Sequence, residues 1–323
     1  KKTKTKQIST NSDELQKILD VHPVVPLLLK YRELTKLLDS FLTPLPNFIA
    51  KDLRIHTIWN QTGTTSGRLS SESPNLQNIP HYGENGQKIR SCFVSPKGSS
   101  IVSFDYSQME LRVAATLSQD KELLDAFLNN KDVHQNTASL IFNIPYDKVS
   151  KEERQKAKTF NFGLIYGMGS RALAKQAEIT VAEAKEFVTE YFSHYYSLKN
   201  YLEELQNFAI ENNYCQTEYG RKRYLPFVSY LNQQGSSERR IAINMPIQGL
   251  ASDLIKISMN NIFDYLKENS LLDKVKFILQ IHDELVFEIQ NDLIDKVCPE
   301  IQKLLEENDK NIPLKVDIKK GSN

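Results

Sequence analysis

The chain has 323 residues, 41 Lys and Arg against 40 Asp and Glu, a formal net charge of +1 and 40% hydrophobic residues. That is enough chain for two or three subdomains around real cores, and it is too rich in Tyr and Phe to stay disordered. Near-neutral charge gives no global case for a nucleic-acid partner, so any such case must be local. The longest apolar runs, such as Val24-Val25-Pro26-Leu27-Leu28-Leu29, fall far short of the ~20 residues of a membrane span. The opening Lys1-Lys2-Thr3-Lys4-Thr5-Lys6 has no apolar stretch behind it and no initiator Met, so a piece of a longer polypeptide without a signal peptide is expected. Cys92, Cys215 and Cys298 form no CxxC pair and the six His are dispersed, which predicts reduced thiols in a cytosol-like compartment and no zinc site.

In chain order, Ser9-Thr10-Asn11-Ser12 reads as a capping cluster before a short helix over Asp13–Asp20, broken by Pro23. Leu27, Tyr31, Leu34 and Leu38 keep helical spacing within a second helix from Val24 to Leu42. Arg54–Gln61 reads as a strand, and Thr62–Pro80 as a polar loop rich in turn formers. Ile101–Asp105 is an apolar strand with a helix after it from about Ser107. The patterning is then helical over 121–130, 134–142, 151–166, 172–177 and one long stretch, 181–213. A hairpin turn is expected at Glu218–Arg223, a helix over Ser237–Asn269, and two alternating strands within Val275–Ile289 joined at His282-Asp283-Glu284. A helix over 292–307 and a strand over Leu314–Ile318 close the chain. Few antiparallel strands with helices gathered to one side make an α+β class, with 121–214 as a helical insert.

Asp105 ends an apolar strand, and Asp283 and Glu284 sit at the tip of an apolar hairpin. If these strands are neighbours, two carboxylates share a low-dielectric site, which demands a cation. Mg²⁺ takes one or two carboxylates plus substrate phosphates. Strand-end and turn acids are also ordinary turn formers, and spacing alone leaves both readings open. Arg154, Lys158 and Phe162 recur every fourth residue, a stripe of two cations and an aromatic that suits a triphosphate followed by sugar and base. A solvated basic face over a core Phe is the plain alternative. Ser107-Gln108-Met109-Glu110 fits a capping box, which by itself accounts for Glu110. Arg221, Lys222, Arg223, Arg239 and Arg240 form a basic cluster able to track phosphates or simply to stay solvated.

Taken together and in order, these segments resemble the DNA polymerase I family, the family A DNA polymerases. Asp105-Tyr106-Ser107-Gln108-Met109-Glu110-Leu111-Arg112 resembles its first polymerase motif, Arg154 to Gly167 its second, Rx₃Kx₃FxxxYG, and Gln280-Ile281-His282-Asp283-Glu284 its third. Thr65–Ser71, Pro74–Pro80 and Asn244–Gly249 are also similar to family segments, so the resemblance covers essentially the whole chain.

The resemblance implies a right-hand polymerase fold. Residues 1–48 would be the C-terminal part of a truncated thumb, 49–120 and 215–323 an antiparallel-sheet palm, and 121–214 the helical fingers. Asp105 and Asp283 would bridge two Mg²⁺ ions, with Mn²⁺ as a substitute, the Tyr106 carbonyl as a further ligand and Glu284 in support. Arg154, Lys158 and His134 would hold the incoming triphosphate with Gln108 nearby, and Lys158 would protonate the leaving pyrophosphate. Phe162 and Tyr166 would pack on sugar and base, and Glu110 would exclude a 2′-hydroxyl. Arg68, Gln77, Asn78, Arg240, Asn244, Gln248 and His282 would follow primer–template DNA, largely through the minor groove, where acceptors look alike for every correct pair.

The implied protein is a monomeric DNA-directed DNA polymerase. It would use dNTPs, without a membrane, in the cytoplasm of a bacterium or phage-infected cell, or in an organelle. A phage-type single-subunit RNA polymerase is disfavoured by the bulk of Glu110. A non-catalytic DNA-binding relic would not need paired acids that repel DNA, and a two-metal nuclease would not need the nucleotide stripe. The chain departs from the family pattern at His81-Tyr82-Gly83, where an Arg is usual, at Phe227, where an acid is usual, and at Lys319–Asn323, short of an aromatic tail. Nuclease domains and most of the thumb are not in this sequence.

Overall fold

The computed structural model describes residues 9–80 and 83–321; His81, Tyr82 and the terminal Ser322-Asn323, where two of the expected departures fall, lie outside the described residues. In chain order the helices and strands are α1 Ser12–Gln16, α2 Val24–Leu37, β1 Ile58–Asn60, β2 Ser70–Glu72, α3 Gly83–Arg90, β3 Ser99–Tyr106, α4 Met109–Ser118, α5 Lys121–Leu128, α6 Val133–Phe142, α7 Lys151–Ile165 and α8 Ser170–Ala177. They continue as α9 Val181–His194, α10 Tyr196–Asn212, β4 Tyr214–Gln216, β5 Lys222–Tyr224, α11 Gln233–Glu268, β6 Val275–Ile281, β7 Glu284–Gln290, α12 Ile294–Glu306 and β8 Val316–Gly321. The mixture of helices and antiparallel sheet is the expected α+β class.

Two compact units make up the chain, one of residues up to 59 with 71–93, the other of residues 60–70 with 94–323. In the first, Asn11 caps α1 by accepting from the Glu14 N–H, and α2 runs into a π-turn over Leu38–Leu42, close to the expected helix end. Gln77 and Asn78 lie in a 3-10 turn at Leu76–Asn78 that Asn75 caps through the Gln77 N–H. The hydroxyl of Ser71 accepts from the Leu76 N–H and shares a hydrogen bond with the Thr57 hydroxyl, so this turn is pinned from inside its own unit.

The second unit holds the four-stranded sheet, in the order β6-β7-β3-β8, all pairs antiparallel. Along β3, Val102, Phe104 and Tyr106 are buried while Ile101, Ser103 and Asp105 are half-buried, the period-2 signature of a strand with one covered face. Phe104 meets Phe287 of β7 edge-on at 5.5 Å, and both share a core with Leu111, Leu250, Leu254, Val297 and Ile301 from α4, α11 and α12. The hairpin β6–β7 turns through two residues, with His282 in the left-handed region at φ 52°.

Some expectations need correction. The strand over Arg54–Gln61 shrinks to Ile58–Asn60, and α3 was not anticipated because its Gly and Asn content hides a helical period. The stretch 181–213 is two helices broken at Tyr195, whose ring is fully buried. The capping box at Ser107 does not form. The sheet holds the chain through Tyr106, the Ser107 N–H donates to the Lys315 carbonyl at 2.8 Å, and the helix starts only at Met109 after Gln108 in the left-handed region. Glu110 is therefore released for other partners.

Candidate active site

The site grows from the end of the sheet. Register pairs Asp105 of β3 with Glu284 of β7 on one side and Asp317 of β8 on the other. The Tyr106 N–H donates to the Asp283 carbonyl at 3.1 Å, which ties the two strand ends carrying Asp105 and Asp283. Tyr106 itself is buried, and its hydroxyl donates to the Leu305 carbonyl at 2.8 Å, so this strand end is fixed by the core beneath it. Burial, then the charge of Glu284, push the Asp105 carboxyl above its usual range; Lys319 at 3.7 Å opposes this, while Asp283 and Asp317 add to it. Burial pushes the Asp283 carboxyl up as well, against the charges of Arg68 and His282. Its Oδ1 is buried and meets the Arg68 guanidinium by one long contact, with Nη2 at 3.5 Å.

Arg68 reaches this position from the loop before β2. The Gly67 backbone lies at φ 81°, and a Cβ there would stand 2.5 Å from the Arg221 guanidinium, so the turn needs glycine twice over. Lys256 of α11 donates to the Gly67 carbonyl at 3.0 Å, and Thr64 to the Arg68 carbonyl at 2.7 Å. Asp253, buried on α11, anchors Lys256 at 3.3 Å and Arg221 at 2.6 Å. Held this way, Arg68 Nη2 donates to Glu110 Oε1 at 2.7 Å, and the Tyr166 hydroxyl donates to Glu110 Oε2. Burial pushes Glu110 above its usual pKa despite those two donors, and burial with Glu110 pushes the Tyr166 hydroxyl up too. Lys256, Arg221 and Asp253 as anchors had no signal in the sequence, because their partners lie far away along the chain.

The helical stripe joins the site at its C-terminal end, where Tyr166 meets Glu110. Ser150 caps α7 in a reciprocal box with Glu153, and the helix carries Arg154, Lys158 and Phe162, ending at Tyr166. Phe162 and Tyr166 stack at 6.4 Å and 24°, and His134 of α6 tilts against Phe162 at 5.5 Å. Arg154 donates through Nε and Nη2 to Asp132 Oδ2, at 3.0 and 2.6 Å. The other oxygen of Asp132 caps α6 through the N–H groups of His134 and Gln135. Burial works against this carboxylate, yet the Arg154 guanidinium and the capping N–H of Gln135 hold it below its usual range. His134 is buried, which lowers its pKa to about 4; Asp132 opposes the shift and Arg154 and Lys158 reinforce it. The ring is neutral at physiological pH.

Among the residues expected on DNA, Arg240, Asn244 and Gln248 recur every fourth residue along α11 and so share one face, with Arg240 exposed beside Gly167. His282 is exposed at the hairpin tip. Gln77 and Asn78 belong to the other unit and are described there. The basic cluster is mostly committed inside the protein. Arg221 pairs with Asp253, Arg223 donates to Thr65, Lys222 covers the Tyr214 ring at 4.4 Å, and Arg239 caps the Val228 and Tyr230 carbonyls. Of that cluster, Arg240 is exposed on α11.

Among the described residues, no group of three or more His, Cys, Asp or Glu is arranged as a ready metal cage. The donor set still fits a hard divalent ion shared with a substrate. Asp105 and Asp283 are adjacent strand-end carboxylates, and the buried Oδ1 of Asp283, with one long contact to Arg68, keeps lone pairs that a cation could take. Among the described residues, no helix is long and apolar enough to cross a membrane.

The model of DNA polymerase family A matches residues 1–323. The DNA polymerase I of Caldicellulosiruptor bescii is 42% identical over 328 residues, covering 100% of this chain and 38% of that protein. The Helicobacter pylori (strain J99) DNA polymerase I is 42% identical over 98% of this chain and 34% of its own length. A thermostable DNA polymerase I of Thermus aquaticus is 39% identical over 95% of this chain and 36% of its own. The chain thus spans little more than a third of the curated relatives it matches. Among solved structures, the polymerase domain of M. smegmatis Pol1, in complex with DNA primer-template and dNTP, superposes with a TM-score of 0.93 at 37% identity, over 100% of this chain and 57% of that one. Since the three motifs stand on the elements just described and the family model runs the full length, the chain belongs to DNA polymerase family A.

Proposed function

We propose that this chain carries out template-directed DNA synthesis, adding a deoxynucleoside triphosphate to a primer 3′-OH by phosphoryl transfer with release of pyrophosphate. The observation that supports the reading is the pair of strand-end carboxylates, Asp105 and Asp283, joined through Arg68, Glu110 and Tyr166 to the helix that carries Arg154, Lys158 and Phe162. Asp105 and Asp283, with the Tyr106 carbonyl and Glu284 beside them, would hold two Mg²⁺ ions, or Mn²⁺ in their place. Metal held by these residues would supply activation of the attacking oxygen and neutralisation of charge on the leaving one. Arg154 binds the triphosphate while Asp132 fixes the direction of its guanidinium. Neutral His134 donates to a phosphate oxygen, and Lys158 Nζ supplies the proton to the departing pyrophosphate.

Phe162 and Tyr166 stack on sugar and base, Gln108 lines the nucleotide, and Glu110 blocks a ribose 2′-hydroxyl. Arg68, Arg240, Asn244, Gln248, His282, Gln77 and Asn78 follow primer–template DNA. In this reading 49–120 and 215–323 act as palm, 121–214 as fingers and 1–48 as thumb. The chain works as a monomer in a bacterial or phage-infected cytoplasm, a setting supported by the bacterial source of the relatives. Primer extension with separate dNTP and NTP pools, with Mg²⁺ and with the metal chelated, tests it. Metal-dependent, template-matched dNTP addition is expected. Efficient NTP addition or primer shortening would replace it with an RNA polymerase or nuclease reading.

A further inference from the structure

Beneath His134 lies a polar network that none of the proposed catalytic steps uses. Asn161 of α7, Thr137 of α6 and Tyr195 at the α9–α10 break are each fully buried, and His134 nearly so. The Thr137 hydroxyl reaches the Val133 carbonyl at 2.8 Å and Asn161 Oδ1 at 3.1 Å; with its one hydrogen on the shorter contact, its two lone pairs are left to accept. Tyr195 OH stands 2.8 Å away and Asn161 Nδ2 3.0 Å away, and each has a hydrogen to give. The second hydrogen of Asn161 Nδ2 then points at His134 Nδ1, 3.0 Å away. Every hydrogen in the group is placed, and His134 Nδ1 is left as an acceptor. In a neutral imidazole the other nitrogen, Nε2, then carries the proton.

We infer that Asn161 is a positioning residue that fixes His134 as its Nε2–H tautomer, so that the ring presents a neutral donor to an anionic oxygen of the substrate. The use of that donor rests on the proposed nucleotide site; the tautomer itself does not. Geometry explains why an amide serves here. A carboxylate at 161 would draw the proton to Nδ1, and a side chain without donors would let the ring choose either form. The network also gives the Tyr195 break a purpose, because a continuous helix over 181–213 would not seat that hydroxyl on Thr137.

The test reads the protonation of His134 directly, by nuclear magnetic resonance on histidine isotope-labelled protein near neutral pH and without substrate. The signal is assigned by its loss in His134→Gln. The parent ring is expected as Nε2–H, and Asn161→Asp is expected to move the proton to Nδ1. The same variant should raise the dNTP KM about 5-fold, the scale of one hydrogen bond, with primer–template affinity unchanged. Should Asn161→Asp not fold, Thr137→Val removes the anchor of the amide and is expected to yield a mixture of both tautomers. A parent ring protonated on Nδ1, or an Nε2–H form unchanged in whichever variants fold, overturns the inference. If the tautomer is as stated but no nucleotide is added, the polymerase reading fails and the Asn161–His134 link stands.

Discussion

At the sheet end, Asp105, Asp283 and Glu110 are carboxylates held above their usual pKa, and one buried oxygen of Asp283 has a single long contact, to Arg68. On α6 and α7, Arg154 already holds a carboxylate through two hydrogen bonds, and neutral His134 is held by Asn161 through Nδ1. Both regions are charged and partly buried, yet at the sheet end Asp105, Asp283 and Glu110 share two cationic neighbours, Arg68 and Lys319, while Arg154 and His134 each have a partner built in. Buried charge short of partners costs stability, and such a cost is kept where a ligand will relieve it. The difference teaches which side waits for a cation and which side is set in place for an anion.

Removing the acids should break the comparison hardest. Asp105→Ala and Asp283→Ala are expected to lower single-turnover nucleotide addition by about 10²–10³-fold or more, as when a main electrostatic stabiliser is lost. Primer–template affinity should survive, and Glu284→Ala should be milder. Retention of more than a few per cent of the parental rate by Asp105→Ala would remove it from the site.

On the other side, Arg154→Ala is expected to raise the dNTP KM by roughly 10–100-fold, the scale of a charge-assisted hydrogen bond. Asp132→Asn keeps the α6 cap and weakens the hold on Arg154, so it should raise KM less while leaving kcat nearly intact. Equal effects of the two variants would mean that Asp132 does more than aim Arg154.

Where the two regions meet, Glu110 and Phe162 should act separately on the sugar. Glu110→Ala is expected to reduce discrimination against ribonucleotides by roughly 10–100-fold, since a repulsive element is removed. Phe162→Tyr adds a hydroxyl near the 3′ position and should raise dideoxynucleotide use instead. Competition of each analogue with its dNTP reads both, and a joint shift of both selectivities would displace these residues from the sugar.

Much of this was legible in the sequence wherever chemistry and period coincided. Arg154, Lys158 and Phe162 lie one turn apart on a real helix, and the alternating runs around Asp283 form a real hairpin. S-x-x-E left a cap open at Glu110 beside its role at the sugar, but that pattern is local, whereas the helix start is decided by Lys315, distant in the chain, holding Ser107 in the sheet. The anchoring of Gly67 by Lys256 and Arg221, and the Asn161–Thr137–Tyr195 network, depend on contacts between distant segments. No local period carries them. The basic run at Arg221–Arg223 misled for the opposite reason, since its charges looked free until Asp253 and Thr65 came into reach.

The claim that the sheet end is an unsatisfied acidic site is tested most directly by the melting temperature of Asp283→Asn against the parent in metal-free buffer across pH. An Asp whose folded pKa is raised above 3.8 gives its full stability below that pH and loses it as pH rises through the folded value. The neutral amide has nothing to lose there, and Arg68 keeps Glu110 as its partner. The two proteins should therefore melt nearly together in acid below that value. The variant should melt higher near neutral pH, by about 2 °C or more. A variant that melts lower than the parent at neutral pH would show Asp283 to be a satisfied, stabilising anion and would contradict the account.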